Sequence, residues 1–187
     1  MRRTLALLFA ALCASMLAAA GCGSNAALYA QEARSSYISA RAVLVGLEEF
    51  PAQMEEILRS GDISAHAVEA KELIEYARDL QPTVNSAFGA VEDKCELLKG
   101  EGSDKYQPYA DIMLQLVDLN KQVTGAYTEF IGVSNSVLEG LSYSTDPGDL
   151  MPALNSMDAI ILRIQQLEAQ IQPLEQEAEA LYQELAK

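Results

Sequence analysis

The chain has no tryptophan, one histidine and three cysteines, and its 13 Lys and Arg face 27 Asp and Glu in 187 residues. Each shortage closes a class of function. Affinity for nucleic acid rests on Lys and Arg meeting phosphates, so a formal charge of −14 argues against a nucleic-acid partner. A single His66 cannot supply the two Glu-x-x-His pairs of a ferritin-like di-iron centre. Cys-x-x-Cys-His haem attachment is missing, and the cysteines are too few and too scattered for a disulfide framework or a zinc finger. Neither a Gly-rich phosphate loop nor a G-x-S-x-G nucleophile elbow occurs. The expectation is a non-enzymatic protein without a cofactor. Half of the chain is nevertheless apolar, enough for a real core in one domain.

The apolar residues begin with a run of their own. Arg2 and Arg3 precede Thr4–Gly21, an uncharged stretch that closes on Leu17-Ala18-Ala19-Ala20-Gly21-Cys22. A basic start, a short apolar middle and small residues at the end are the marks of a secretion signal. The junction resembles the lipobox of bacterial lipoproteins, with Ala19 where that motif more often has leucine. The resemblance implies a signal peptide over 1–21 and a Cys22 that carries acyl chains such as palmitate and heads the mature chain. Residues 22–25 then form a lipidated tether and 26–187 the folded domain. An ordinary secretory signal cut near Ala20 and an uncleaved anchor are the alternatives. The stretch is at the short end for a membrane span, whereas two or more lipid chains anchor a protein stably. The implied partner is a membrane, reached through the N-terminal lipid. The implied location is the extracytoplasmic face, at the cell surface or in the periplasm.

Beyond the signal, turn residues cluster at 59–62, 99–104 and 142–149 and divide the chain near 25–60, 62–99, 104–141 and 149–186. In each segment apolar residues recur at alternating steps of four and three. The first stripe runs through Tyr29, Ala33, Ser36, Ala40, Val43, Leu47, Phe50, Met54 and Ile57. The second runs from Ile63 and Ala67 through Ala70, Ile74, Ala77, Gln81, Val84, Phe88, Val91 and Cys95 to Leu98. The third joins Ile112, Leu116, Leu119, Val123, Ala126, Phe130, Val133 and Val137, and the fourth runs from Leu150 and Leu154 to Leu185. A period of 3.5 puts these side chains on one face of a helix, as in a coiled coil. Each helix would be roughly 55 Å long at about 1.5 Å per residue. Short connections predict an all-α, antiparallel up-down-up-down four-helix bundle. Small residues in the first two stripes predict close approach there.

Pro51, Pro82 and Pro173 fall inside these segments, and each costs about 3 kcal/mol in an unadapted helix. The stripe stays in phase across Pro51 and Pro82, which predicts kinked helices rather than breaks. Pro108 and Pro152 are expected in first turns, where proline is tolerated. Residues 29–58 also share Tyr-Ala, Val, Glu-Phe and Leu with positions 80 further on, the pattern of a duplicated hairpin or of heptads matching by chance.

Candidate chemistry is sparse. His66 and Glu69 share a helix face, and two such ligands hold a metal only with others. Ser64-Ala65-His66-Ala67-Val68-Glu69 is similar to the G-x-H-x-x-E motif of imelysin-like proteins, with Ser64 in place of the glycine. That resemblance implies a helical, often lipid-anchored accessory factor linked to iron uptake, with His66 and Glu69 as metal ligands. Cys95 lies on the second stripe and reads as a buried, inert thiol. The carboxylates, Glu48 and Glu49, Glu55 and Glu56, and Glu175 to Glu184, read as solvated faces that can attract a basic protein partner. Tyr109 and Tyr127 read as core-edge residues with wet hydroxyls. The leading expectation is a lipid-anchored interaction or structural module, and the rival is a small-ligand or metal-binding accessory lipoprotein. Inward-facing polar residues gathered in one bundle layer would favour the rival.

Overall fold

The alternating spacing of apolar residues is realised as helix wherever the chain is described. The computed structural model describes residues 25–59, 65–141 and 147–185. Cys22, the lipobox-like stretch, Ile63 and the turn residues at 60–62 and 142–146 lie outside them. The helices are α1 (Ala26–Glu48), α2 (Phe50–Arg59), α3 (Ala67–Gly100), α4 (Gln107–Leu141) and α5 (Pro147–Leu185), with no strand among the described residues. α1 and α2 form the first of four rods and part at Glu49, which keeps helical angles. Pro51 has no N–H to give to the Leu47 carbonyl, so the regular ladder lapses one turn ahead of it. α3 continues through Pro82, and α5 continues through Pro152 and Pro173. Pro152 is therefore interior and not in a first turn, because α5 already begins at Pro147.

Opposed residues show how the rods run. Across α1 and α3, Asn25 meets Glu101 and Glu32 meets Lys94. Across α3 and α4, Lys99 meets Asp111 and Glu92 meets Lys121. Across α4 and α5, Glu129 meets Arg163 and Lys105 meets the Leu185 carbonyl. Along each seam one residue number rises as the other falls, so neighbours run in opposite directions. The α3–α4 connection is tight. Gly102 takes a φ of 65°, a left-handed conformation that glycine adopts without steric cost, and its N–H caps the Lys99 carbonyl.

The stripes are buried with one rotation and one addition. On α3 the buried residues from Ala70 to Leu98 are those of the expected stripe; only Ala67, in the first turn, is exposed, and Gln81 is half-buried. On α1 the seam is Ala26, Ala30, Ala33, Tyr37, Ala40, Leu44 and Leu47. Tyr29, Ser36 and Val43 flank it instead, because turning the helix buries the larger Tyr37 and Leu44. α4 buries a wider face, since it packs on α3 and α5 and also meets α1 across the bundle. Tyr109, Met113, Val117, Tyr127 and Ile131 are therefore buried beside Leu116, Val123 and Phe130.

Burial repeats at an offset of 80. Ala30, Ala33, Tyr37, Ala40, Leu44, Leu47, Phe50, Met54 and Ile57 are buried, and so are Ala110, Met113, Val117, Asn120, Thr124, Tyr127, Phe130, Ser134 and Val137. α3 and α5 start 80 residues apart, at Ala67 and Pro147. Phe50 and Phe130, matched in this way, meet edge to face with ring centroids 5.7 Å apart.

The seams differ in how they are closed. α1 packs along α3, α3 along α4 and α4 along α5, but the backbones of α1 and α5 scarcely approach one another.

Candidate functional site

On the loosely closed side between α1 and α5 the charged residues form a connected, half-buried layer, whereas the other seams carry separate ion pairs beside continuous packing. Arg34, Arg41 and Glu48 follow one another at steps of seven along α1, and Glu168 and Glu175 do so on α5. A step of seven is two helical turns, so each set lines one edge. Phe88 and Cys95 are the α3 residues that stand 80 positions before Glu168 and Glu175. Where one hairpin buries an aromatic ring and a thiol, the other presents two carboxylates.

Arg41 is the hub. Its guanidinium makes two bonds of 3.2 Å to the Glu168 carboxylate, lies 3.4 Å from Glu48 and 3.5 Å from Glu175, and donates to Oδ1 of Asn120 at 3.0 Å. Asn120, on α4, is fully buried, and its Nδ2 donates to the Leu116 carbonyl at 2.7 Å and to the Tyr37 hydroxyl at 3.2 Å. The Tyr37 hydroxyl in turn donates to Glu175 at 2.7 Å. Three helices are tied together through one layer. Burial works against the charge on Arg41, yet the Glu168 bonds and the surrounding carboxylates outweigh it, and its pKa is raised. Burial also raises the Glu48 pKa; Arg41 pulls it down and Glu168 and Glu175 push it up. Burial, reinforced by the bond to Glu175, raises the pKa of Tyr37.

Two helical turns toward the start of α1, Arg34 forks onto Glu179 at 2.9 and 3.2 Å, and its guanidinium lies 5.0 Å above the Tyr182 ring. Between the two arginines a cleft of about 360 Å³ opens, walled by Tyr37, Ile38, Tyr109, Met113, Leu116 and Ala178 and edged by Glu175 and Glu179. Tyr109 is 1% exposed, and its hydroxyl has no hydrogen-bond partner among the described residues. Burial pushes its pKa upward, as it does that of Tyr127. The expectation of a wet hydroxyl is corrected at Tyr109, whose oxygen is closed off from water; the Tyr127 ring is likewise buried in the core rather than at its edge.

Several expectations about the carboxylates change here. Glu49, Glu55 and Glu56 are exposed, as solvated faces are. Glu48 and Glu175 are half-buried and belong to the charge layer. Arg34, Tyr37, Arg41, Asn120 and Glu168 belong to no motif and lie off the expected stripes. The usable signal was the seven-residue spacing of unlike charges on two different helices.

The other candidates lie apart from this layer. His66 immediately precedes α3, and its Nδ1 is 2.9 Å from Glu69. Among the described residues no three His, Cys, Asp or Glu side chains gather as a metal site, around His66 or elsewhere. Cys95 is fully buried, and burial, with Glu96 and Glu92 nearby, pushes its thiol up to about 12. Cys22 lies outside the described residues. No described helix is long and apolar enough to cross a membrane. Compared with protein-family models, with curated proteins and with solved structures, the chain matches none.

Proposed function

We propose that the protein is a lipid-anchored, extracytoplasmic helical bundle that acts by binding rather than by catalysis. Cys22 lies a few residues before α1, so a lipid there would hold the end of the bundle formed by Asn25, Glu101, Lys105 and Leu185 next to the membrane. The strongly acidic remainder would be repelled by phosphate-rich headgroups and stand away from them.

The observation that carries the binding reading is the charge layer around Arg41. Apolar packing stabilises a bundle at least as well as half-buried ion pairs do, so stability alone gives no reason for such a layer. Polar groups gathered beside an apolar cleft are what a binding module needs. A purely structural rod would be expected to close this seam as it closes the other three.

Anchoring is tested in cells fed a clickable fatty acid. Wild-type protein is expected to take up the label and stay with the membrane, and Cys22→Ala to take up none and be released. Unlabelled wild-type protein would remove the lipid anchor from the account.

A further inference from the structure

We infer that the outer face of the α4–α5 seam is where a second copy of this chain docks, in a two-fold symmetric dimer. This goes beyond the binding reading and uses neither the charge layer around Arg41 nor the anchor at Cys22.

The face is an open furrow. Near Pro152 a hollow of about 780 Å³ is lined by Gly132, Val133 and Ser136 of α4 and by Ala153, Ser156 and Ala159 of α5. A second hollow, of about 480 Å³, lies among Leu114, Leu119 and Leu174. Leu119 and Val133 are fourteen residues apart, and so are Ile160 and Leu174. Fourteen residues are four turns of a bundle helix, so both hollows open on the same face. From Pro152 to Leu174 the furrow runs for about 33 Å at the helical rise.

Two glycines point to an occupant. Gly125 and Gly132 are exposed, inside α4 and seven residues apart, so they share this face. A Cβ added to either would meet no atom within 4 Å. Glycine weakens a helix relative to alanine, and nothing in the single chain uses the room it leaves. Close approach by a backbone from outside does use it. The serines agree. Ser136 Oγ donates to the Gly132 carbonyl at 3.0 Å, and Ser156 Oγ donates to the Pro152 carbonyl at 2.9 Å. With both donors already engaged, the furrow suits an apolar occupant.

Charge and shape select a second copy. At a formal charge of −14, two copies repel one another unless they meet where charge is low. Here Glu129 and Arg163 neutralise one another at 2.6 Å, and among the described residues that line the furrow only Asp118 carries a further charge. A cationic protein would be drawn instead to the carboxylates of α2 and α3, such as Glu55, Glu56, Glu69 and Glu72. A two-fold interface must present knob and hole on one patch. Leu162 supplies the knob: it is 56% exposed and lies one turn beyond Ala159, at the rim of the furrow. Each copy's Leu162 then enters the small-residue hollow of the other.

The test is sedimentation equilibrium of the full chain in density-matched non-ionic detergent, with micelles in excess and protein from micromolar to submillimolar concentration. Wild-type protein is expected to pass from monomer to dimer over that range. Gly132→Leu should weaken the dimer at least about tenfold by overfilling the contact. Because its side chain enters open space in the single chain, this variant should stay helical by circular dichroism and unfold no earlier than the wild type. Ala159→Glu should abolish the dimer. Val68→Glu, the same added charge at a site 71% exposed on α3, should leave it unchanged. If Gly132→Leu fails to fold, the two Glu variants decide. A wild type that stays monomeric, a folded Gly132→Leu as dimeric as the wild type, or equal behaviour of the two Glu variants would overturn the inference. Fatty-acid labelling at Cys22 is indifferent to all of these results, so failure here would leave the anchored bundle in place.

Discussion

Arg41 on α1 grips Glu168 on α5 through two bonds of 3.2 Å, across a seam where the two backbones scarcely approach. The pair substitutes for packing. Removing only the cation leaves Glu48, Glu168 and Glu175 facing one another in a half-buried layer. Arg41→Met is therefore expected to cost on the order of 2 kcal/mol in urea unfolding at neutral pH, less than a fully buried pair because water reaches the rim. Arg41→Lys should recover only part of this, since an ammonium cannot fork onto a carboxylate. A cost below about 0.5 kcal/mol for Arg41→Met would show the layer to be ordinary surface charge.

Glu48 gives the layer a pH signature. Its folded pKa is raised, so the native state takes up this proton before the unfolded chain does. The contribution of Glu48 to stability therefore rises as pH falls through the window just above the ordinary carboxylate range. Glu179 is shifted the other way by Arg34, and its stabilisation is lost only at lower pH, outside that window. The urea midpoint should increase from pH 7 toward 5 by more in the wild type than in Glu48→Gln. Equal increases would contradict the assigned burial of Glu48.

Gly46 marks the close approach of α1 and α3. A Cβ there would lie 2.6 Å from Cδ2 of Leu80 and 3.4 Å from the Tyr76 hydroxyl. The Leu80 tip is the end of a flexible side chain, and alanine improves helix propensity by about 1 kcal/mol, so Gly46→Ala should be near neutral. Gly46→Leu should cost about 1–3 kcal/mol by forcing the helices apart. Adding Leu80→Ala should return a good part of that loss. Additive costs in the double variant would show that the two residues do not meet.

Cys95 reports on the register of α3. It is fully buried, and with its thiol pushed up to about 12 almost no thiolate forms at neutral pH. Maleimide modification of the Cys95 peptide, followed by mass spectrometry, should be slow in native buffer and fast in urea. Cys95→Ala should cost about 1 kcal/mol, the loss of one small buried group. Rapid native labelling would place the wrong face of α3 in the core.

Helix content and the α3 stripe from Ala70 to Leu98 were readable in the spacing of apolar residues, because that helix buries one face and exposes the rest. α1 was harder. Tyr29, Ser36 and Val43 keep the same period as Ala30, Tyr37 and Leu44, and small residues on both faces leave the rotation open until a partner is present. The wider buried face of α4 depends on its third neighbour, α1, across the bundle, which no local pattern states. The charge layer was hidden for a related reason. Glu168 and Glu175 look like any solvated heptad flank until α1 sets Arg41 opposite them. The polar Asn120 gives no sign, in sequence, of the three bonds that allow it to be buried.

α1 and α5 form the side of the bundle held by ion pairs rather than by close backbone packing. Amide hydrogen exchange resolved by helix tests it most directly, because local opening reports how firmly each element is held. α3 and α4, each packed along two helices, should exchange slowest, and α5, packed along α4 alone, clearly faster. Raising the salt to about 0.5 M should widen that difference by screening the half-buried pairs around Arg41 and Arg34. Exchange in α5 as slow as in α4 and indifferent to salt would contradict the account.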